Sequence, residues 1–265
     1  MEYIGYFFAI LIGVSLGLIG GGGSILTVPV LVYIFHLDAA AATVYSLFIV
    51  GLTSAVGSVN YLKRGLVHLR AAMVFGIPSV AGVFIARLLI VPNIPEHIFS
   101  IGQFVVTRHI LLMLLFAVLM VGASYNMIKK QKAAPAFNKE LCCKNYVMTI
   151  LQGLLIGIIT GMVGAGGGFM IIPALLFVLH LPMKKAIGTS LLIIALNSLL
   201  GFAGSVGHVA VQWPFILTIA AFAIAGIFIG NRLSKKIDGA KLKPIFGWFV
   251  LIMGVYIILK ETVFK

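Results

Sequence analysis

Acid is scarce in this chain. Of 265 residues only six are aspartate or glutamate, and Glu2, Asp38, Glu96, Glu140, Asp238 and Glu261 all fall at the ends of apolar segments or between them. No carboxylate is available inside an apolar segment to bind sodium or relay protons, so carboxylate-dependent coupling to either ion is excluded. Cysteine is equally sparse: Cys142 and Cys143 are adjacent, and neighbouring cysteines seldom bridge each other or give a metal-ligand spacing, so they read as reduced and structural. There is no His-Glu-x-x-His, no nucleophile elbow and no paired carboxylate within an apolar segment, which leaves an intramembrane enzyme poorly supported. Nothing calls for a metal or a cofactor.

What is present is hydrophobicity. Residues of the apolar class make up 62% of the chain and charged ones 9%, with a mean hydropathy of +1.18. Several apolar stretches reach the length of about 20 residues that spans a bilayer. The composition specifies an all-α polytopic membrane protein, and the first apolar stretch, following Met1-Glu2-Tyr3 without a basic start, reads as part of the mature fold. A net charge of +13 follows mainly from lysines and arginines in loops, the positive-inside pattern; attraction of an anion is the sharper reading. Dispersed over short loops, these residues do not suggest nucleic-acid binding.

One phrase occurs twice. Leu16-Gly-Leu-Ile-Gly-Gly-Gly-Gly-Ser-Ile-Leu-Thr-Val-Pro29 returns 144 residues later as Thr160-Gly-Met-Val-Gly-Ala-Gly-Gly-Gly-Phe-Met-Ile-Ile-Pro173. Residues 16–47 and 160–191 share eleven identities in 32 without a gap, which marks a duplication. Eight apolar blocks follow, near 3–36, 39–59, 69–91, 108–128, 147–180, 183–206, 212–232 and 242–260. The organisation is a first transmembrane repeat over 1–128, a basic linker over 129–144 and a second repeat over 145–265.

Charge placement constrains the topology. The basic loops are Lys63 to Arg70, the linker, Lys184-Lys185 and Arg232 to Lys243. If every block crossed once, these loops would fall on both faces and the positive-inside rule would contradict itself. The conflict vanishes if blocks one and five each fold back at the glycine run into a hairpin of two short helices, with arms of about 12 to 17 residues, or about 18 to 25 Å. Both termini are then extracytoplasmic, and the halves become inverted repeats, each a glycine-tipped hairpin plus three transmembrane helices, with the tips meeting near mid-membrane.

The tips carry the chemistry. Gly20, Gly21, Gly22 and Gly23, then Ser24, and in the second copy Gly164, Ala165, Gly166, Gly167 and Gly168, place almost no side chain over the backbone. Irregular backbone at membrane depth is tolerated only where protein or a wet cavity surrounds it. The second arms, starting near Ser24 and Phe169, would aim helix N-termini, with free amides and partial positive charge, at an oxyanion. Isolated glycines such as Gly13, Gly51, Gly82 and Gly226 read instead as close-packing positions. Pro29 and Pro173 kink the second arms. Ser46, Thr189 and Ser190, with Thr43 and Tyr45, supply hydroxyls beside the hairpins, unless these bond the carbonyl a turn back. Asn197, within a Leu/Ile-rich helix, needs a partner or a wet face; its repeat mates are Thr53 and Ser54. Arg87 and Arg232 end related strings and would either guard two mouths of one path or snorkel to the interfaces, and Arg108 and His109 would likewise be interfacial. His36 and His180 are repeat mates at opposite faces and cannot share a metal.

Gly17-x-x-Gly-Gly-Gly-Gly-Ser-x-x-x-Val-Pro29, Gly161-x-x-Gly-Ala-Gly-Gly-Gly-x-x-x-Ile-Pro173 and Ala186-Ile-Gly-Thr-Ser190 together resemble the sulfite exporter TauE/SafE family over essentially the whole chain. The resemblance implies movement of sulfite, sulfonates and related sulfur oxyanions across the bacterial inner membrane. The expected protein is therefore a multi-pass secondary transporter, an exporter by family likeness, with a small sulfur-containing anion and the lipid bilayer as partners and room for a homodimer. A passive anion channel is the alternative. The first copy has Thr43-Val-Tyr-Ser46 where the second has Ile187-Gly-Thr-Ser190, so the contacts need not be symmetric.

Overall fold

The computed structural model describes residues 2–95, 97–101, 104–128, 146–163, 167–177, 179, 181–208, 211–236 and 239–262. Helix α1 (Glu2–Ile19) turns at the first glycine run into α2 (Gly22–Tyr33), followed by α3 (Ala39–Lys63) and α4 (Leu69–Ile85). A π-helical turn, Ala86–Ile90, and the short α5 (Val91–Asn93) extend α4. Strands β1 (His97–Ile101) and β2 (Phe104–Thr107) precede α6 (Arg108–Ile128). The second half holds α7 (Tyr146–Val163), α8 (Gly168–Phe177), α9 (Met183–Ala203), α10 (Trp213–Lys236) and α11 (Gly239–Thr262). The antiparallel pair of strands is the one departure from the all-helical expectation, in a stretch rich in Ile, Val and Phe, which favour extended backbone. The linker, with Cys142 and Cys143, and His180 lie outside the described residues, as do the side chains of Arg108 and His109. Among the described residues, the segments Ala40–Lys63, Leu69–Ile90, Met183–Ala203 and Trp213–Ser234 are long and apolar enough to cross a membrane.

Block one folds back on itself. Gly5, near the start of α1, is covered by the Phe35 ring just beyond α2, and Gly23 lies over Ile12 and Leu16. A Cβ at either site would overlap its neighbour, so glycine lets the two arms close. In block five, Gly167 folds back onto Thr160.

The packing of the halves repeats. Helix α1 runs beside α10 in parallel: Gly226 meets the carbonyl of Ile10 and the amide of Val14, and Gly230 meets Val14 and Gly17. Helix α4 runs beside α7 in the same way, Gly82 meeting the carbonyl of Leu154 and the amide of Ile158, each contact displaced by 144 residues from the first seam. Four of these are backbone contacts that only glycine permits, the close-packing role that Gly82 and Gly226 suggest in sequence. Central to both halves, the repeat mates α3 and α9 run antiparallel, with Gly51 against Leu199, Gly57 against Leu191 and Gly188 against Tyr61. Mates that point in opposite directions are what an inverted pair requires; a two-fold axis along the helices would keep them parallel.

The two ends of the bundle differ chemically. At one end Tyr6 stacks on Phe222, Phe35 and Tyr45 approach Phe215, and Phe48 and Phe202 pack on Trp213, with ring centroids 4.9–6.2 Å apart. Such a group suits a membrane interface. At the other end the Tyr61 hydroxyl lies 3.1 Å from Ser234 Oγ, the His68 amide donates to Thr189 Oγ1 at 2.9 Å, and Gly188 sits on Leu66. The basic loops around Lys63, Lys184 and Arg232 are thereby brought to one end, which eight single crossings would forbid. Cysteines replacing Asp38 and Lys184, in a chain with Cys142 and Cys143 changed to serine, should separate by face. A membrane-impermeant thiol reagent is expected to label position 38 in intact cells and position 184 only after permeabilisation. Labelling of both from one side would break the inverted arrangement.

Candidate functional site

The first arms are longer than the spacing predicts. Helices α1 and α7 each contain 18 residues, about 27 Å of rise, close to the hydrocarbon thickness. Arms of that length can carry their tips past the middle of a bilayer. Tyr61, two residues from the end of α3, donates to the Gly17 carbonyl at 3.2 Å, and Gly20 lies against Ile187 and Ser190 in the first turns of α9.

Gly20 and Gly167 take the left-handed conformation, at φ 78° and 75°, where other residues are strained. The chain can then reverse and start a new helix within one or two residues. Helix α2 begins at Gly22 and α8 at Gly168, two residues and one residue before the expected starts. Gly21, the N-cap of α2, makes no side-chain capping bond, and a helix's first turn has no internal acceptors for its amides. Pro29 and Pro173 lie inside α2 and α8, which leaves the carbonyls four residues earlier, at Ile25 and Phe169, without a helical donor.

The two hairpins touch through backbone. A Cβ at Gly21 would overlap the Gly168 carbonyl, and one at Gly168 would stand 2.7 Å from the Gly21 Cα, 2.7 Å from Ile194 Cδ1 and 3.0 Å from Ser24 Oγ. Around this contact the polar groups are hydroxyls. Ser24 donates to the Gly21 carbonyl at 2.7 Å, and Ser190 donates to Ile187 at 2.9 Å with Gly20 O 3.4 Å away. Thr160, donating to Gly157 at 3.2 Å, faces Gly167. At rest these protons are held by backbone carbonyls, so an anion binding here would have to turn the hydroxyls toward itself.

Not every expected residue joins the tips. Gly20, Gly21, Gly168, Ser24 and Ser190 come together and Gly167 adjoins them, whereas Gly164, Ala165 and Gly166 lie outside the described residues. Gly22 is placed as backbone and Gly23 packs on α1. Ser46 is fully buried, its Oγ without a partner among the described residues. Thr189 is bound to the His68 amide at the basic end, and Thr43 and Tyr45 are bound to Ala40 and Gln212 near the aromatic end. Asn197 donates to Ser79 at 2.7 Å and keeps Oδ1 without a partner among the described residues, while its mate Thr53 bonds the carbonyl of Ile49. The two arginines differ in their surroundings. Arg232 is exposed, whereas Arg87 is 6% exposed, with Nε and Nη2 buried and without a partner among the described residues. The residue matching Arg87 at the 144-residue spacing is Asn231, 2% exposed. Sequence reading missed Ser79 and Thr160; each is a lone hydroxyl in an apolar run, the only mark it carries.

The family described as Sulfite exporter TauE/SafE matches residues 6–257. A "Probable membrane transporter protein" of Xylella fastidiosa (strain Temecula1) is 29% identical over 252 residues, covering 94% of this chain and 91% of the relative. "Probable membrane transporter protein YdhB" of Bacillus subtilis is 23% identical, over 88% of this chain and 90% of its own. A "Probable membrane transporter protein" of Haemophilus influenzae is 24% identical, over 94% and 95%. No solved structure matches.

Proposed function

From the chain's membership of the sulfite exporter TauE/SafE family of membrane transporters, we propose that it moves a small sulfur oxyanion, sulfite or an organosulfonate, by alternating exposure of a site between the two glycine tips. The observation that carries this is the backbone contact of Gly21 with Gly168, where two helix starts, α2 and α8, come to one place. Helix N-termini bind oxyanions through amides and dipole, and Ser24 and Ser190 add donors that can rotate. Asp38, spent on capping α3 through the Ala40 amide, is remote from the tips.

The tips in contact also favour a carrier over a channel, since passage between them requires the hairpins to part. The direction proposed is outward across a bacterial inner membrane, with the basic end in the cytoplasm by the positive-inside rule. Liposomes carrying the purified protein are expected to release sulfite or sulfoacetate faster than empty ones, without dependence on a sodium gradient. Folded protein that moves no sulfur anion sinks the proposal, and steep sodium dependence overturns the coupling.

A further inference from the structure

Among the described residues Arg87 is a buried cation without a counter-ion. It belongs to the π-helical turn that ends α4, eighteen residues beyond Leu69 and thus about 27 Å along the span. Its neighbours show how the turn is oriented: Leu88 and Leu89 are 52% and 61% exposed, while Ala86 and Arg87 are 0% and 6%. The leucines face outward and the arginine faces protein. On that inner side the segment packs against α7, with the Ala86 Cβ 2.8 Å from where a Cβ would stand on Gly161, three residues before the second glycine run begins.

The unpartnered atoms are informative. Nε and Nη2 form one edge of the guanidinium, the side-on fork that accepts two oxygens of one oxyanion. Both are buried and neither has a hydrogen-bond partner among the described residues. Leaving a charge buried with two donors unmet is among the costliest arrangements a protein can hold, and π turns recur at functional sites. The equivalent place in the other half holds Asn231, also buried, with Oδ1 without a partner among the described residues. One half therefore offers a fixed positive charge and the other a neutral amide.

Building on the tip-site reading above, we propose that Arg87 is an anion-binding residue of the transport path, gripping two oxygens of a sulfite or sulfonate group through Nε and Nη2 beside the second hairpin. The arginine supplies the full charge that the amides and hydroxyls of the tips lack. A spherical anion can reach both donors but meets neither along its N–H direction, so the residue favours oxyanions as well as attracting them.

The test is the concentration dependence of sulfoacetate transport by reconstituted wild type, Arg87→Lys and Arg87→Gln. Lysine keeps the charge and loses the fork, so KM should rise about tenfold; glutamine loses the charge as well, and KM should rise about 100-fold. Wild-type transport with an unchanged KM in Arg87→Gln overturns this assignment and leaves the tip site standing, whereas a wild type that moves no sulfur anion refutes the tip site itself. Should the glutamine variant fail to fold, competition on the wild type decides: sulfite, sulfate and methanesulfonate should inhibit sulfoacetate uptake and equal chloride should not. Equal inhibition by chloride overturns the proposal.

Discussion

Gly21→Ala is expected to lower sulfonate flux by about 100-fold, the scale of loss that an ångström of misplacement at a binding centre produces. Gly21 has φ −147° and ψ −14°, outside the left-handed region, so the positive-φ strain that burdens Gly20 does not arise here. The effect comes from contact: the new methyl would occupy the space of the Gly168 carbonyl, and a backbone carbonyl held in a hairpin tip cannot rotate aside as a side chain can. The two helix starts would be wedged apart. Gly20→Ala tests a different mechanism. There φ is 78°, costing about 1–2 kcal/mol for alanine, and the nearest atoms include Ile187 Cγ2 and Ser190 Oγ at 2.9 Å, which have some freedom to move. Gly20→Ala should therefore lower thermal stability more clearly than Gly21→Ala does, and Gly21→Ala should be the more damaging to flux. Unchanged flux in a folded Gly21→Ala protein would remove the tip contact from the mechanism.

The second large effect concerns the two parallel seams. At Gly157 a Cβ would overlap the Ser79 carbonyl between α7 and α4, and at Gly226 the Ile10 carbonyl between α10 and α1. Each alanine substitution should destabilise the protein by about 2–3 kcal/mol through overpacking. The seams are separate, so the double variant should approach the sum. Gly76, in α4, where an added Cβ would come only to 3.4 Å from Ile193 Cγ1, is the control, and Gly76→Ala should be neutral or slightly stabilising, because alanine favours the helix. Thermal midpoints in detergent read all four proteins. A seam variant as stable as the control would show that the helices do not depend on backbone approach.

Much of this architecture is legible in the sequence because membrane topology leaves local marks. Consecutive glycines between apolar arms, repeated after 144 residues, name the hairpins, and the positions of Lys63, Lys184 and Arg232 require them to return to the face they left. Gly82 and Gly226 read as seams because single glycines in apolar helices have few other uses. Less was legible at the site. Asn197 needs a partner, but Ser79 stands 118 residues away and no pattern connects them. Thr189 matches Ser46 and Ser190 as a candidate and proves to serve the α4 start through His68. Arg87 reads as an interfacial residue at a block's end until the π turn carries it inward.

Sequence alone determined which segments are apolar enough to enter a membrane, where two of them turn back, and that no carboxylate lies inside an apolar segment, and it set the expectation that the halves oppose each other. These follow from length, charge and glycine placement, properties that act along the chain. The tertiary structure decided azimuth. A membrane helix is apolar on its lipid side and on much of its protein side, so Leu88, Leu89 and Ala86 give no periodic contrast to show which way Arg87 faces. Only packing against α7 settles that, and only the overlap of two arms of 18 residues sets Gly21 on Gly168.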